Sequence, residues 1–194
     1  MEIYYINLNR RSDKRMFFEN RINRTVFRDK YKRFTAIEHN NGRVGCALSH
    51  IELWKKCIDN NMMVFEDDTI FKINYNKNIE IILNNLPDDF DIVYLNSSKD
   101  IVINPYNNLF SKIRAKCTGT WNYILSPTGA KKLLDCILPY NKSRQIDTQI
   151  SGFIHKHKII GYLSLLPTVY TIQDYNDSDC QPRRDEINIV DFHK

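Results

Sequence analysis

Three carboxylates stand in a row at Glu66-Asp67-Asp68, directly after the apolar run Met62-Met63-Val64-Phe65. Like charges about 4 Å apart cost roughly 1 kcal/mol in water and about 4 kcal/mol at the dielectric of a protein surface, so such a cluster calls for a cation or for full solvation. The donor set is oxygen only, with no sulfur or imidazole beside it in the chain, which favours Mg²⁺ or Mn²⁺ over zinc. Alternate residues of an extended backbone share a face, so Glu66 and Asp68 reach one ion while Asp67 points elsewhere. A solvated acidic turn is the other reading, and the triplet alone leaves both open.

Other reactive residues are scattered. His50 lies beside Ser49 near the start of an expected helix, upstream of the acid triplet, and Ser49 reads either as a pocket residue or as a helix cap. His155 and His157 are two apart, cannot share a helix face, and read as surface residues. There is no GxxxxGK[ST] loop, no GxGxxG and no HExxH; Gly42-Arg43-Val44-Gly45 is too short for either glycine motif. Five cysteines form no CxxC pair, and an odd number cannot all be bridged within one chain. They point to a reducing, cytoplasmic setting and read mostly as small buried hydrophobes.

The net charge of +5 is unevenly spread. Met1 to Gly45 holds eleven Lys and Arg against five Asp and Glu, a net +6, so the rest of the chain carries −1. An anionic partner is expected at the N-terminal quarter: a nucleotide diphosphate, an acidic membrane touched peripherally, or nucleic acid. No apolar stretch approaches the roughly 20 residues of a membrane span, and Met1 leads into a strand-like segment rather than a signal peptide.

The elements that must position these groups alternate. Glu2 to Leu8 reads as a strand, followed by a helix that Ser12 or Asp13 caps, then a strand at Arg33–Ile37 and a loop to Arg43. Ala47, Leu48, Ile51, Trp54 and Ile58 recur at helical spacing over Val44–Asn60. The carboxylate strand follows, then a helix marked by Ile79, Ile82, Leu83 and Leu86, and a strand at Asp91–Leu95. Asn96 to Cys117 reads as a mobile polar loop near the site. Trp121–Leu125 is the next strand, Ser126-Pro127 opens a helix, and Asp147–His157 carries another. After Pro167 the chain turns polar and charged. This pattern predicts a single α/β domain over residues 1–194, with helices on both faces of a mostly parallel sheet. Ligands of such sheets bind at the carboxyl ends of the strands, where Asn7 to Arg10 and Glu66 to Asp68 fall together.

Several of these residues also form a family pattern. Tyr5-Ile6-Asn7-Leu8 with Arg10, Arg11 and Arg15, then Gly45-Cys46-Ala47-Leu48-Ser49-His50 leading to Trp54, then Val64-Phe65-Glu66-Asp67-Asp68, resemble glycosyltransferase family 25. Asp91 to Leu95, Gly119-Thr120 with Tyr123, Ser126 with Gly129-Ala130, Asp147, and Gln173 with Ser178-Asp179 continue the resemblance in order. That family includes bacterial lipopolysaccharide galactosyltransferases and procollagen hydroxylysine galactosyltransferases. Asn9 and Gln145-Ile146 depart from its pattern, which often has Asp at the first and Pro-Val at the second.

The resemblance implies a GT-A-type, Rossmann-like fold, a UDP-hexose donor, Mn²⁺ (or Mg²⁺) dependence, and inversion at the anomeric carbon. It implies donor contacts at Asn7, Leu8, Arg10, Arg15, Ser49, His50, Glu66 and Asp67, with Glu66 and Asp68 on the metal. Inverting displacement onto a hydroxyl of a glycan or glycoprotein needs a general base, for which Asp147 is the candidate, an N-cap role being the alternative. Gln173 and Asp179 are lesser candidates for acceptor or metal contacts. Metal-dependent phosphoryl or nucleotidyl transfer, or a non-catalytic module that binds an anionic partner, would use the same features.

Overall fold

Apolar residues repeat every second position in the central strands, and the two sets they define go to opposite faces of one sheet. The protein, seen in a computed structural model that describes residues 1–174, 177–180, 187–190 and 193, begins with β1 (Glu2–Asn7), α1 (Ser12–Ile22), β2 (Lys32–Thr35) and α2 (Gly42–Trp54). β3 (Met62–Glu66), β4 (Thr69–Phe71), α3 (Tyr75–Asn84), β5 (Ile92–Tyr94), β6 (Val102–Pro105) and β7 (Phe110–Ala115) follow. The chain continues with β8 (Asn122–Leu125), α4 (Pro127–Ile137), α5 (Ile146–His155), β9 (Gly161–Ser164), β10 (Val169–Asp174) and β11 (Ile187–Val190).

Eight strands form the main sheet in the order β2-β1-β3-β8-β5-β9-β7-β6. The pairings make β1, β2, β3, β5, β9 and β6 run one way, while β8 and β7 run against them. The sheet is therefore mixed but mostly parallel in direction, as expected. Met62, Val64, Ile92, Tyr94, Tyr123 and Leu125 face α2, α4 and α5. Met63, Phe65, Val93 and Ile124 face α1 and α3. A small antiparallel sheet, β11-β10-β4, sits beside it.

Local chemistry sets the helix boundaries. Ser126 Oγ accepts from Gly129 N–H at 3.0 Å and Pro127 takes the first turn of α4, as the sequence indicates. Asn41 Oδ1 caps α2 by accepting from Arg43 N–H at 3.1 Å. Ser12 and Asp13 do not cap α1: Arg11 holds the cap position, and Asp13 lies in the first turn, where its charge suits the helix dipole. The helix expected to Asn60 ends at Trp54, because Cys57 turns inward with its thiol toward Leu125 O, leaving Ile58 70% exposed.

Two stretches depart further from expectation. Asn96–Cys117 is not a mobile loop at the site; it carries the β6–β7 hairpin at the sheet edge away from β3. Asn107 Oδ1 closes that hairpin by accepting from Leu109 and Phe110 N–H, both at 2.8 Å. The polar stretch after Pro167 supplies β10, and residues 177–180 fold back over the N-terminal ends of α1 and α2.

Candidate functional site

β3 delivers Glu66 at its carboxyl end, and there the molecule opens into a cavity of about 840 Å³. Small-molecule sites run about 300–1,000 Å³. The wall is built from the end of β1, the start of α1, one face of α2, the acid triplet and residues 177–180.

The three carboxylates are held differently. Glu66 Oε1 accepts from Thr120 Oγ1 at 3.2 Å and lies 3.3 Å from His50 Nε2. His50 is fully buried, with Nδ1 2.8 Å from the Tyr123 hydroxyl, which also accepts from Trp54 Nε1 at 2.9 Å. A buried polar chain thus fixes the Glu66 side chain from behind. Asp67 Oδ2 accepts from Asn7 Nδ2 at 2.7 Å. Asn7, buried, also accepts from Arg33 Nε at 3.1 Å and donates to Arg11 O at 3.0 Å, so it positions Asp67 from outside the cavity wall. Asp68 Oδ1 is shut from solvent and has no hydrogen-bond partner among the described residues.

Electrostatics follow from this packing. Burial raises the Asp67 carboxyl to about 6, with the Asn7 hydrogen bond opposing the shift. Burial, then the charges of Glu66 and Asp67, push the Asp68 carboxyl well above the ordinary carboxylate range. Two carboxyls that burial holds toward the protonated form, standing beside Glu66, suit a hard divalent cation in place of protons.

The opposing wall is built of ion pairs: Arg10 and Lys14 line it together with Asp13, Glu38, Asp177 and Asp179. The Arg11 side chain, 12% exposed, pairs with Asp13 and Asp177 at 2.7 Å each and with Asp179 at 2.8 Å. Arg10 pairs with Asp179 at 2.6 Å and Glu38 at 3.3 Å, and Lys14 lies within 3.8 Å of Asp179. Arg10, Arg11 and Lys14 are therefore paired within the molecule by acids far along the chain. The approach is close at Gly42, where a Cβ would lie 1.8 Å from Asp179 O. Arg15 is off the cavity wall and pairs with Glu19 one turn on at 3.1 Å.

The remaining expected residues divide. Leu8 and Ser49 line the cavity. Ser49 is mid-helix rather than a cap: its hydroxyl donates to Gly45 O and accepts from Ile37 N–H, both at 2.8 Å, tying the preceding loop to α2. Asp147 is off the cavity wall, and Gln145 holds the cap position of α5. Asp147 Oδ2 accepts from Gly119 N–H at 2.9 Å and Oδ1 from Thr148 N–H at 2.6 Å. Gly119 has φ +92°, and this pinned turn sets the approach of Thr120 and Trp121 to the site. Asp179 sits on Arg10 and Arg11; Gln173 lies on β10, with its side chain outside the described residues.

Sulfur and imidazole, absent beside the carboxylates in the chain, are brought to Glu66 by the fold. Among the described residues, Cys46, His50 and Glu66 are the group of three potential metal ligands whose donor atoms lie within 4.8 Å of one another. Cys46 is not a plain buried hydrophobe; it is half-buried on the cavity wall, and contact with Cys180, then burial, raises its thiol well above the ordinary range.

A sequence profile described as Glycosyltransferase family 25 (LPS biosynthesis protein) matches residues 38–150, which hold α2, the acid triplet and the Asp147 turn. The chain belongs to glycosyltransferase family 25. Among curated family 25 relatives, procollagen galactosyltransferase 1-A of Xenopus laevis is 32% identical over 135 residues, covering 63% of this chain and 22% of that protein. Procollagen galactosyltransferase 1 of Danio rerio is 25% identical over 206 residues, covering 86% of this chain and 33% of that one. The chain thus spans a fifth to a third of the length of these relatives. A crystal structure of UDP-glucose pyrophosphorylase complexed with UDP-glucose superposes with a TM-score of 0.51 at 11% identity, covering 87% of this chain and 74% of that one. That likeness concerns the fold, and agrees with a GT-A-type, Rossmann-like sheet. In this family 25 chain, sequence reading missed Lys14, Cys46 and Thr120 as site residues. Lys14 lay in the basic run, Cys46 one helical turn before His50, and Thr120 in the Gly119-Thr120 pair of the family pattern, so each carried a signal.

Proposed function

We propose that the protein transfers a hexose from a UDP-sugar to a hydroxyl of a glycan or glycoprotein acceptor, with a hard divalent cation, Mn²⁺ or Mg²⁺, held by Glu66 and Asp68 and supported by Asp67. The observation that carries this reading is Asp68 Oδ1, without a partner among the described residues, beside two further carboxylates in a cavity of about 840 Å³ whose opposite wall carries Arg10 and Lys14. When bound, such an ion supplies charge stabilisation to a departing diphosphate. The chain's own residues do the rest. His50 and Thr120 orient Glu66, and Asn7 orients Asp67. Arg10, Arg11 and Lys14 offer charge-assisted hydrogen bonds to phosphate oxygens once Asp177 and Asp179 give way. Asp147 acts by holding the Gly119 turn. The family membership and the galactosyltransferase relatives support the reaction class.

The test is thermal shift and donor turnover with a panel of nucleotide sugars and Mn²⁺. The expected result is stabilisation by UDP and one UDP-hexose, only with metal, and slow release of UDP. No stabilisation by any nucleotide sugar overturns the reading, and pyrophosphate release from a nucleoside triphosphate replaces it with nucleotidyl transfer.

A further inference from the structure

Glu66 has two neighbourhoods. One is the all-oxygen side shared with Asp67 and Asp68; the other is formed by α2. Cys46 and His50 are four residues apart, so they project from one face of that helix. β3 brings Glu66 against them from an independent rigid element, so that thiol, imidazole and carboxylate donor atoms all lie within 4.8 Å of one another.

We propose that Cys46, His50 and Glu66 form a second metal site on this cavity, one that takes a borderline-soft divalent ion of the Zn²⁺ or Co²⁺ class. Sulfur and imidazole donors select such ions over Mg²⁺ and Mn²⁺. The separation of His50 Nε2 and Glu66 Oε1, 3.3 Å, is a tetrahedral edge. Metal–ligand bonds of about 2.0–2.1 Å give an edge of about 3.3–3.4 Å. The outer support is present as well: His50 Nδ1 lies 2.8 Å from the Tyr123 hydroxyl, itself held by Trp54 Nε1 at 2.9 Å. In the tautomer with its proton on Nδ1, the ring donates to that oxygen and leaves the Nε2 lone pair for the ion. All three ligands line the cavity, which supplies the entry path and a fourth, open position. Ligation releases the Cys46 thiol proton to solvent and forms one metal–thiolate bond. Because Glu66 belongs to both neighbourhoods, filling this site lowers Mn²⁺ affinity at Asp68; that consequence alone rests on the proposed function.

The experiment uses the full chain, reduced and stripped of metal, titrated with Co²⁺ alone. The expected result is a sulfur-to-cobalt charge-transfer band in the near ultraviolet, displaced by Zn²⁺ and absent in Cys46→Ser, with the band retained in Asp68→Asn. No band in the wild type, or a band of full strength in folded Cys46→Ser, overturns the site. X-ray absorption on the zinc-loaded wild type keeps the test independent of variant folding: a shell with one sulfur supports the assignment, and a shell of oxygen and nitrogen alone defeats it. These readouts need no nucleotide, so a failed donor screen and a failed cobalt titration are separate results.

Discussion

At the start of β5, Asp91 is 1% exposed and both its oxygens are taken: Lys132 Nζ lies 2.8 Å from each, and Ile160 N–H donates at 2.8 Å. Just past the far end of β3, Asp68 also holds an oxygen away from water, with no partner for it among the described residues. Both carboxylates cost desolvation free energy. The first recovers it from a cation and a backbone donor that the fold supplies, so it acts as a fastener between β5, α4 and the start of β9. The second has two carboxylates for close neighbours, and Lys14 and a backbone hydrogen bond offset only part of its desolvation. A buried acid with all its partners is structure, and a buried acid without them, at the carboxyl end of a parallel-type strand, marks a binding site.

The largest expected effect separates the two ends. Asp68→Asn removes a charge the metal-free fold leaves unbalanced, so thermal stability without metal holds or rises, while Mn²⁺-dependent UDP binding and turnover fall by about 10²-fold or more. Calorimetric titration and melting curves read both. Equal losses of metal-free stability in Asp68→Asn and Asp91→Asn would erase the contrast.

Asp91→Asn loses a charged pair and weakens the Ile160 contact, and should cost about 2–3 kcal/mol in urea unfolding, with metal affinity of the folded fraction unchanged.

Next comes pH. The Asp67 carboxyl titrates at about 6 in the folded protein against an ordinary 3.8, so the folded state prefers the protonated form. Its contribution to metal-free stability is complete below about pH 4 and lost as pH rises through 6. Asp67→Asn should flatten that decline, read from unfolding midpoints at pH 4.5 and 7.5; a decline of the same size in the variant would remove Asp67 as its source.

The smallest effect tests the paired bases of the opposite wall. Arg10→Ala should weaken UDP binding severalfold, whereas Arg15→Ala, whose partner is Glu19, should leave it unchanged. Identical losses at both positions would show a diffuse field rather than a local contact.

Much of this was legible in the chain. The run from Met62 to Phe65 is apolar on both faces, which is what a strand sandwiched between two helix layers requires, and its end announced the acid triplet. The Ser126-Pro127 cap, the Asp147 helix and the ordered family motifs were local patterns, readable because the contacts that enforce them lie within a few residues. The β6–β7 hairpin was missed because Lys112 and Arg114 make β7 read as polar, and β7 is held as a strand by its pairing with β6 and β9.

By itself the sequence determined which residues are apolar and with what period, hence the strands, the helices and the acid triplet at a strand end. The tertiary structure alone decided the partners: that Asp177 reaches Arg11 from 166 residues away, that Cys46 and His50 come to Glu66, and that Asn7 takes Asp67 while Asp68 Oδ1 has no partner among the described residues. The reason is physical. Periodicity records which face of an element avoids water, whereas the meeting of two polar groups distant in the chain depends on strand order, register and helix placement, which are properties of the whole packing.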